Sequence, residues 1–125
     1  MDMYRQPGFT LIEMIIVIVL IGVIAVIAFP RFVDFSSTAR TNSTANVAAA
    51  LSTANSNNFA TRTASGGTTG ITITNCNQNG ALLPGGALPA GYSITSLSIS
   101  NGVSVTCTLN GPNSTSATFM AYGIS

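Results

Sequence analysis

The sequence predicts an α+β chain: one long N-terminal helix, apolar in its first half, packed against a small antiparallel sheet built by the C-terminal half. Three observations carry that prediction. An unbroken apolar run lies near the N-terminus, a polar stretch after it repeats its apolar residues at helical spacing, and the remainder is Ser/Thr/Asn/Gly-rich with short alternating runs between turn signals.

The apolar run is Phe9–Phe29, FTLIEMIIVIVLIGVIAVIAF, 21 residues interrupted only by Thr10, Glu13 and Gly22. As a helix it would be roughly 31 Å long, close to the ~30 Å hydrocarbon core of a bilayer. It is apolar all round, which a surface helix of a soluble domain is not. A secretory signal peptide cut after Ala28 is the alternative, but its apolar region would be unusually long and would contain a carboxylate. A membrane-spanning helix fits better. Arg5 precedes the run and Arg31 and Arg40 follow it, so the positive-inside rule decides little.

Charge excludes most chemistry. The 125 residues carry four Arg and three acids, and no Lys, His or Trp. Asp2, Arg5, Glu13, Arg31, Asp34, Arg40 and Arg62 are the whole set, so no side chain after Arg62 is charged at neutral pH. General acid–base catalysis needs a group titrating near the working pH, most often His. Hydrolysis, phosphoryl transfer and metal chemistry all lack parts, and neither enzyme activity nor a cofactor is expected. The net charge of +1 gives no reason to expect nucleic acid.

Glu13 is the residue that its surroundings do not explain. A carboxylate within an apolar span costs about 2–3 kcal/mol or more and tends to mark function. The bland reading is a side chain near the interface that reaches water. Its neighbours favour the functional one. Gly8-Phe9-Thr10-Leu11-Ile12-Glu13, followed by sixteen residues of apolar helix, resembles the processing site of type IV prepilins. That resemblance implies cleavage after Gly8 by a membrane aspartyl protease, a leader of residues 1–8 and a mature chain starting at a methylated Phe9. It also implies a partner for Glu13: the ammonium of Phe9, in the same chain or a neighbouring subunit. Breaking such a buried pair leaves a charge uncompensated, so Phe9 and Glu13 would act as a register device in assembly.

Gly22 and Pro30 punctuate the run. Pro30 cannot donate to the carbonyl of Val26, so a kink or break is expected just before it. In type IV pili the similar glycine-to-proline stretch melts when subunits leave the membrane. The continuation, residues 30–62, reads as helix to about Asn58. Phe32, Phe35, Ala39, Val47, Leu51 and Ala54 form one apolar stripe in steps of three and four, with Ser43 filling a gap. The full helix would be roughly 75 Å long. Pro30-Arg31-Phe32-Val33-Asp34-Phe35, with Ala39-Arg40 beyond, resembles the corresponding stretch of mannose-sensitive haemagglutinin-type pilins.

Residues 63–125 read as a small β head. Ile71-Thr72-Ile73-Thr74 alternates as a strand, Leu82–Gly91 is a Pro/Gly-rich loop, and Ala117–Tyr122 is a last strand. Between them Tyr92–Ser100 and Val103–Leu109 form a hairpin. The apolar pattern selects a three-residue turn, Ser100-Asn101-Gly102 with Gly102 left-handed, which pairs Ile99 with Val103, Leu97 with Val105 and Thr95 with Cys107. Cys76 and Cys107 are the only cysteines, too few for zinc without His. Lying beyond an export-type span, they favour a disulfide.

Together these features imply the pilin fold and a structural role: a subunit stored in the inner membrane with its head outside the cytoplasm. Prepilin peptidase and the inner-membrane assembly platform would act on it, and it would polymerise into an extracellular helical homo-oligomer serving adhesion, attachment or motility. No host or surface receptor is indicated. A type II secretion pseudopilin is the second reading, yet no carboxylate side chain follows Asp34 to bind the calcium that major pseudopilins take. A minor pilin of a DNA-uptake filament would want a basic or aromatic head, and only Arg62 near its base is basic.

Overall fold

A computed structural model describes residues 7–125; Met1–Gln6, most of the expected leader, lie outside the described residues, as do the side chains of Phe32 and Val33. The architecture is α+β. Helix α1 (Leu11–Ser65) is followed by a 3-10 helix (Cys76–Leu82), strand β1 (Ser93–Ile94), strand β2 (Ser104–Asn110), a 3-10 turn (Pro112–Ser114) and strand β3 (Ser116–Tyr122). The strands form one antiparallel sheet in the order β1-β2-β3. By contact density the chain divides into two units, residues 1–37 and residues 38–125.

In the first unit the apolar side chains are out. Phe9 is 86% exposed and Phe29 73%, with Leu11 through Ile27 between them almost all exposed. This surface is long and apolar enough to cross a membrane by length and composition. The helix continues through Gly22 and Pro30, as the helical spacing of the residues beyond them leads one to expect. Proline removes one N–H donor, and the turns on either side keep theirs.

In the second unit, strand alternation decides the packing. β2 turns Val105, Cys107 and Leu109 inward and β3 turns Ala117, Phe119 and Ala121 inward, with Cys107 paired to Phe119 and Leu109 to Ala117. Ala48 and Leu51 of α1, with Ile73, Cys76 and Ile99, complete the core.

The buried face of the helix is not the expected apolar stripe. Phe35 is 73% exposed and Ala39 is exposed, while Val47 and Ala54 are half-buried; only Leu51 of the described stripe is fully inside. The face that is buried includes Thr44, Asn55 and Asn58. Their partners explain why polar residues are there. Asn55 accepts the Tyr122 N–H at 2.7 Å and donates to the Tyr122 carbonyl at 3.2 Å and to Asn79 Oδ1 at 2.7 Å. Asn58 accepts the Ile71 N–H and donates to the Ile71 carbonyl, both at 2.8 Å. Each carboxamide therefore acts as a one-residue piece of neighbouring strand. Gly70 makes the second contact possible: a Cβ there would lie 2.7 Å from Asn58 Oδ1 and 2.8 Å from Arg62 Cγ. The helix accordingly continues beyond Asn58 to Ser65.

Two further readings need correction. Residues 71–74 make only an isolated bridge, Ile73 to Ile124, since Asn58 occupies the backbone of Ile71. The hairpin register is also shifted by one. Ile94 pairs with Leu109, and Thr95 donates its N–H to the Thr108 carbonyl rather than facing Cys107. The apolar residues that argued for the other register go elsewhere. Cys76 N–H bonds to Leu97 O and Ile99 N–H to Thr74 O, so residues 97–99 leave β2 to pair with 74–76. Leu97 and Val103 stay about half exposed. Gly102 is left-handed (φ 75°), as the turn requires.

The 3-10 helix, which alternation alone does not reveal, starts with a capping box. Asn75 Oδ1 accepts the Asn77 N–H and Gln78 Oε1 accepts the Asn75 N–H. Cys76 begins this helix and is bridged to Cys107 in mid-β2, with Cα atoms 5.7 Å apart and both residues at most 1% exposed. The bridge therefore adds a covalent tie to a segment that Asn55, Asn58 and Ile124 already hold by hydrogen bonds.

Cys107→Ser should lower the stability of the full-length chain by roughly 3–4 kcal/mol, since the bridge closes a loop of about 30 residues. Thermal unfolding in detergent should show a markedly lower midpoint, and an unchanged one would refute a structural role. Asn55→Ala strands the Tyr122 backbone and Asn79 and should cost about 2–3 kcal/mol. Exposed Asn57→Ala should cost under about 0.5 kcal/mol in the same melt.

Candidate functional site

Residues 7–10, directly before α1, present their peptide bonds openly. Gly8 and Phe9 are exposed and without regular structure, and an added Cβ at Gly8 would meet nothing within 4 Å. A protease can therefore reach the Gly8–Phe9 bond without unfolding anything described here.

The helix then starts on a reciprocal cap. Glu13 Oε2 accepts the Thr10 N–H at 2.9 Å and the Thr10 hydroxyl at 3.0 Å, and Thr10 Oγ1 accepts the Glu13 N–H at 3.4 Å. This is a capping box, Thr-x-x-Glu, which satisfies backbone donors that a helix end leaves unpaired. The matter is acute at an apolar end, where lipid or another helix offers those donors nothing. The spacing was visible in the sequence as a Thr three residues before a Glu ahead of an apolar run. Reading Glu13 only as an ion-pair partner hides it.

Phe9 and Glu13 share one shallow groove, of about 440 Å³, with Met14, Ile16 and Val17. The unprocessed chain has a peptide nitrogen at Phe9, so Thr10 is the hydrogen-bond partner of Glu13 here. Cleavage would place an ammonium one residue before that cap. The other sequence-derived positions lie apart from this groove. Gly22 and Pro30 are within α1, and Cys76 and Cys107 form the disulfide of the second unit. Among the described residues no three His, Cys, Asp or Glu side chains come together as a metal site.

Residues 3–29 match the model of the prokaryotic N-terminal methylation motif. None of the curated proteins and none of the solved structures compared matches the chain. The matched residues take in the exposed Gly8–Phe9 bond, the Thr10–Glu13 cap and the apolar run. The motif is the signal of type IV pilins, and a long N-terminal helix followed by a small sheet fits a pilin. Residues 3–29 thus carry a prepilin-type methylation motif at the head of a chain whose architecture fits a pilin.

Proposed function

We propose that the chain is a structural subunit of a type IV pilus. It is held in the inner membrane by residues 9–29, cleaved after Gly8 by prepilin peptidase, methylated on the Phe9 amine, and polymerised through that helix into an extracellular filament. The filament serves adhesion, attachment or motility. One observation supports this above the rest: an accessible Gly8–Phe9 bond stands directly before a capped helix whose apolar side chains are exposed on every side. That surface must be covered, first by lipid and then by the same helix of neighbouring copies.

Processing changes the electrostatics at one point. Hydrolysis of the Gly8–Phe9 peptide leaves a carboxylate on the departing leader and an ammonium on Phe9. In the membrane that ammonium and Glu13 lie near the headgroup boundary. In a filament, water is excluded and the pair counts for more. A neighbour docked at the wrong axial offset leaves one charge uncompensated, so the pair selects register. Gly22 and Pro30 mark the stretch where the helix would loosen during assembly. The assembly platform of the inner membrane is the partner this scheme requires.

A secretion pseudopilin shares the N-terminal motif. Against it stands the head, which has no carboxylate side chain with which to hold calcium.

Intact mass of the subunit from sheared surface filaments tests the processing: it should correspond to Phe9–Ser125 with one added methyl group. A subunit beginning at Met1 or Phe29 would refute it. Two substitutions then separate the roles of Glu13. Glu13→Gln keeps an oxygen for the Thr10 cap but removes the charge, and Glu13→Val removes both. Both should leave processed protein in the membrane at normal levels and reduce surface filaments at least tenfold. Normal piliation with Glu13→Gln, seen by electron microscopy, would show that the cap matters and the charge pair does not.

A further inference from the structure

Beyond the helix, asparagine is followed by glycine three times, at Asn79-Gly80, Asn101-Gly102 and Asn110-Gly111. Such a pair has a chemistry of its own in water. The backbone nitrogen of the glycine can attack Cγ of the asparagine, since a residue without Cβ leaves that approach open. As dipeptides the three are equivalent. The fold makes them unequal.

Asn79 is shut in. It is 0% exposed, its Oδ1 accepts from Asn55 at 2.7 Å, and its Nδ2 donates to the Cys76 carbonyl at 2.9 Å. A Cβ on Gly80 would lie 3.0 Å from Leu88 Cγ, so the peptide after Asn79 has little room to turn. Asn110 is half-buried, and its Nδ2 donates to Thr95 Oγ1 at 3.0 Å. Its glycine is packed harder still. A Cβ on Gly111 would come within 2.6 Å of the hydroxyls of both Thr44 and Thr115, and the Gly111 N–H is held by the Thr115 carbonyl at 2.7 Å.

Asn101 differs on each count. It is exposed at the tip of a turn, with Gly102 left-handed beside it (φ 75°). One hydrogen bond holds its carboxamide, from the Ser125 N–H to Oδ1 at 3.1 Å, and its Nδ2 has no partner among the described residues. A Cβ on Gly102 would meet nothing within 4 Å. The peptide plane is therefore free to turn once the Gly102 N–H leaves the Gly123 carbonyl, 2.9 Å away. Two exposed hydrogen bonds restrain this pair, where the other two are restrained by packing as well.

We propose that Asn101 is a modification site of the folded head, converted by water to aspartate and isoaspartate through a cyclic imide. The Gly102 nitrogen bonds to Asn101 Cγ and gives up its proton. The Cγ–Nδ2 bond breaks, and Nδ2 leaves as ammonia with that proton. Water then adds to one of the two ring carbonyls and breaks its bond to the Gly102 nitrogen. Opening at Cγ gives aspartate, and opening at the main-chain carbonyl gives isoaspartate. Either product places a carboxylate in a region that has no charged side chain past Arg62. Aspartate keeps an acceptor for the Ser125 N–H, whereas isoaspartate lengthens the main chain at the tip and displaces Gly102 and Val103 from Gly123. The site belongs to the head alone and does not depend on the filament reading.

The test incubates the full-length chain in detergent, in heavy-oxygen water at mildly alkaline pH, and reads the label at each pair by peptide mass mapping. In the folded chain Asn101 should take up label at least tenfold faster than Asn79 or Asn110. In the reduced, denaturant-unfolded chain the three should label at similar rates. Equal rates in the folded chain, or a faster rate at Asn79 or Asn110, would overturn the proposal. So would a folded chain that stays unlabelled at Asn101 while the unfolded chain labels fully. Asn101→Gln, whose longer side chain closes the ring poorly, should lose the label at this position and leave the other two unchanged. Label persisting there would refute the cyclic route.

Discussion

A two-residue strand and a three-stranded sheet leave buried backbone groups without a strand beside them, and two carboxamides on a helix pair those of Tyr122 and Ile71. Asn55 and Asn58 each bind both the N–H and the C=O of one residue, so α1 serves as hydrogen-bonding neighbour to β3 and to the segment at Ile71. An apolar helix face could cover the sheet but could not finish its ladder. The rest of the head follows from that arrangement. Asn79 is drawn in to Asn55, Gly70 stays bare to let the chain pass, and the disulfide ties the Cys76 segment onto the same core.

The helix start solves the same problem at the other end of the chain by a different route. There, backbone donors that the helix end leaves unpaired are satisfied by Thr10 and Glu13, three residues apart. Glu13 thus has a reason to be present before any second subunit arrives. Under the proposed processing, a carboxylate already oriented by a local cap would meet the ammonium created at Phe9, and one side chain would serve the cap and then the pair.

Much of this was legible in the residues, because it depends on pattern. The apolar run, the Gly8–Phe9–Glu13 motif, the two cysteines and the last strand all announce themselves through local composition or spacing. The failures share a cause: they depend on which distant segment wins a backbone partner. Leu97 and Ile99 look like one face of a hairpin, yet residues 97–99 pair with 74–76 and Leu97 remains exposed, so a register inferred from alternation alone is off by one. Asn55 and Asn58 look like weak helix formers on a solvent face, and only the bare edge opposite them gives them a buried role. Helical spacing identified the element and misjudged its inner face, since the partners of that face are polar.

The uncharged head has a consequence for the conditions in which it can work. Stability varies with pH only when folded and unfolded chains bind different numbers of protons. Past Arg62 the side chains include no carboxylate, imidazole or amine, and both thiols are locked in a bridge. Between acid and neutral pH this part of the molecule has almost nothing to titrate, and dissolved salt has no surface ion pairs there to screen. Its folding is thereby uncoupled from the acidity and salinity of the surrounding water.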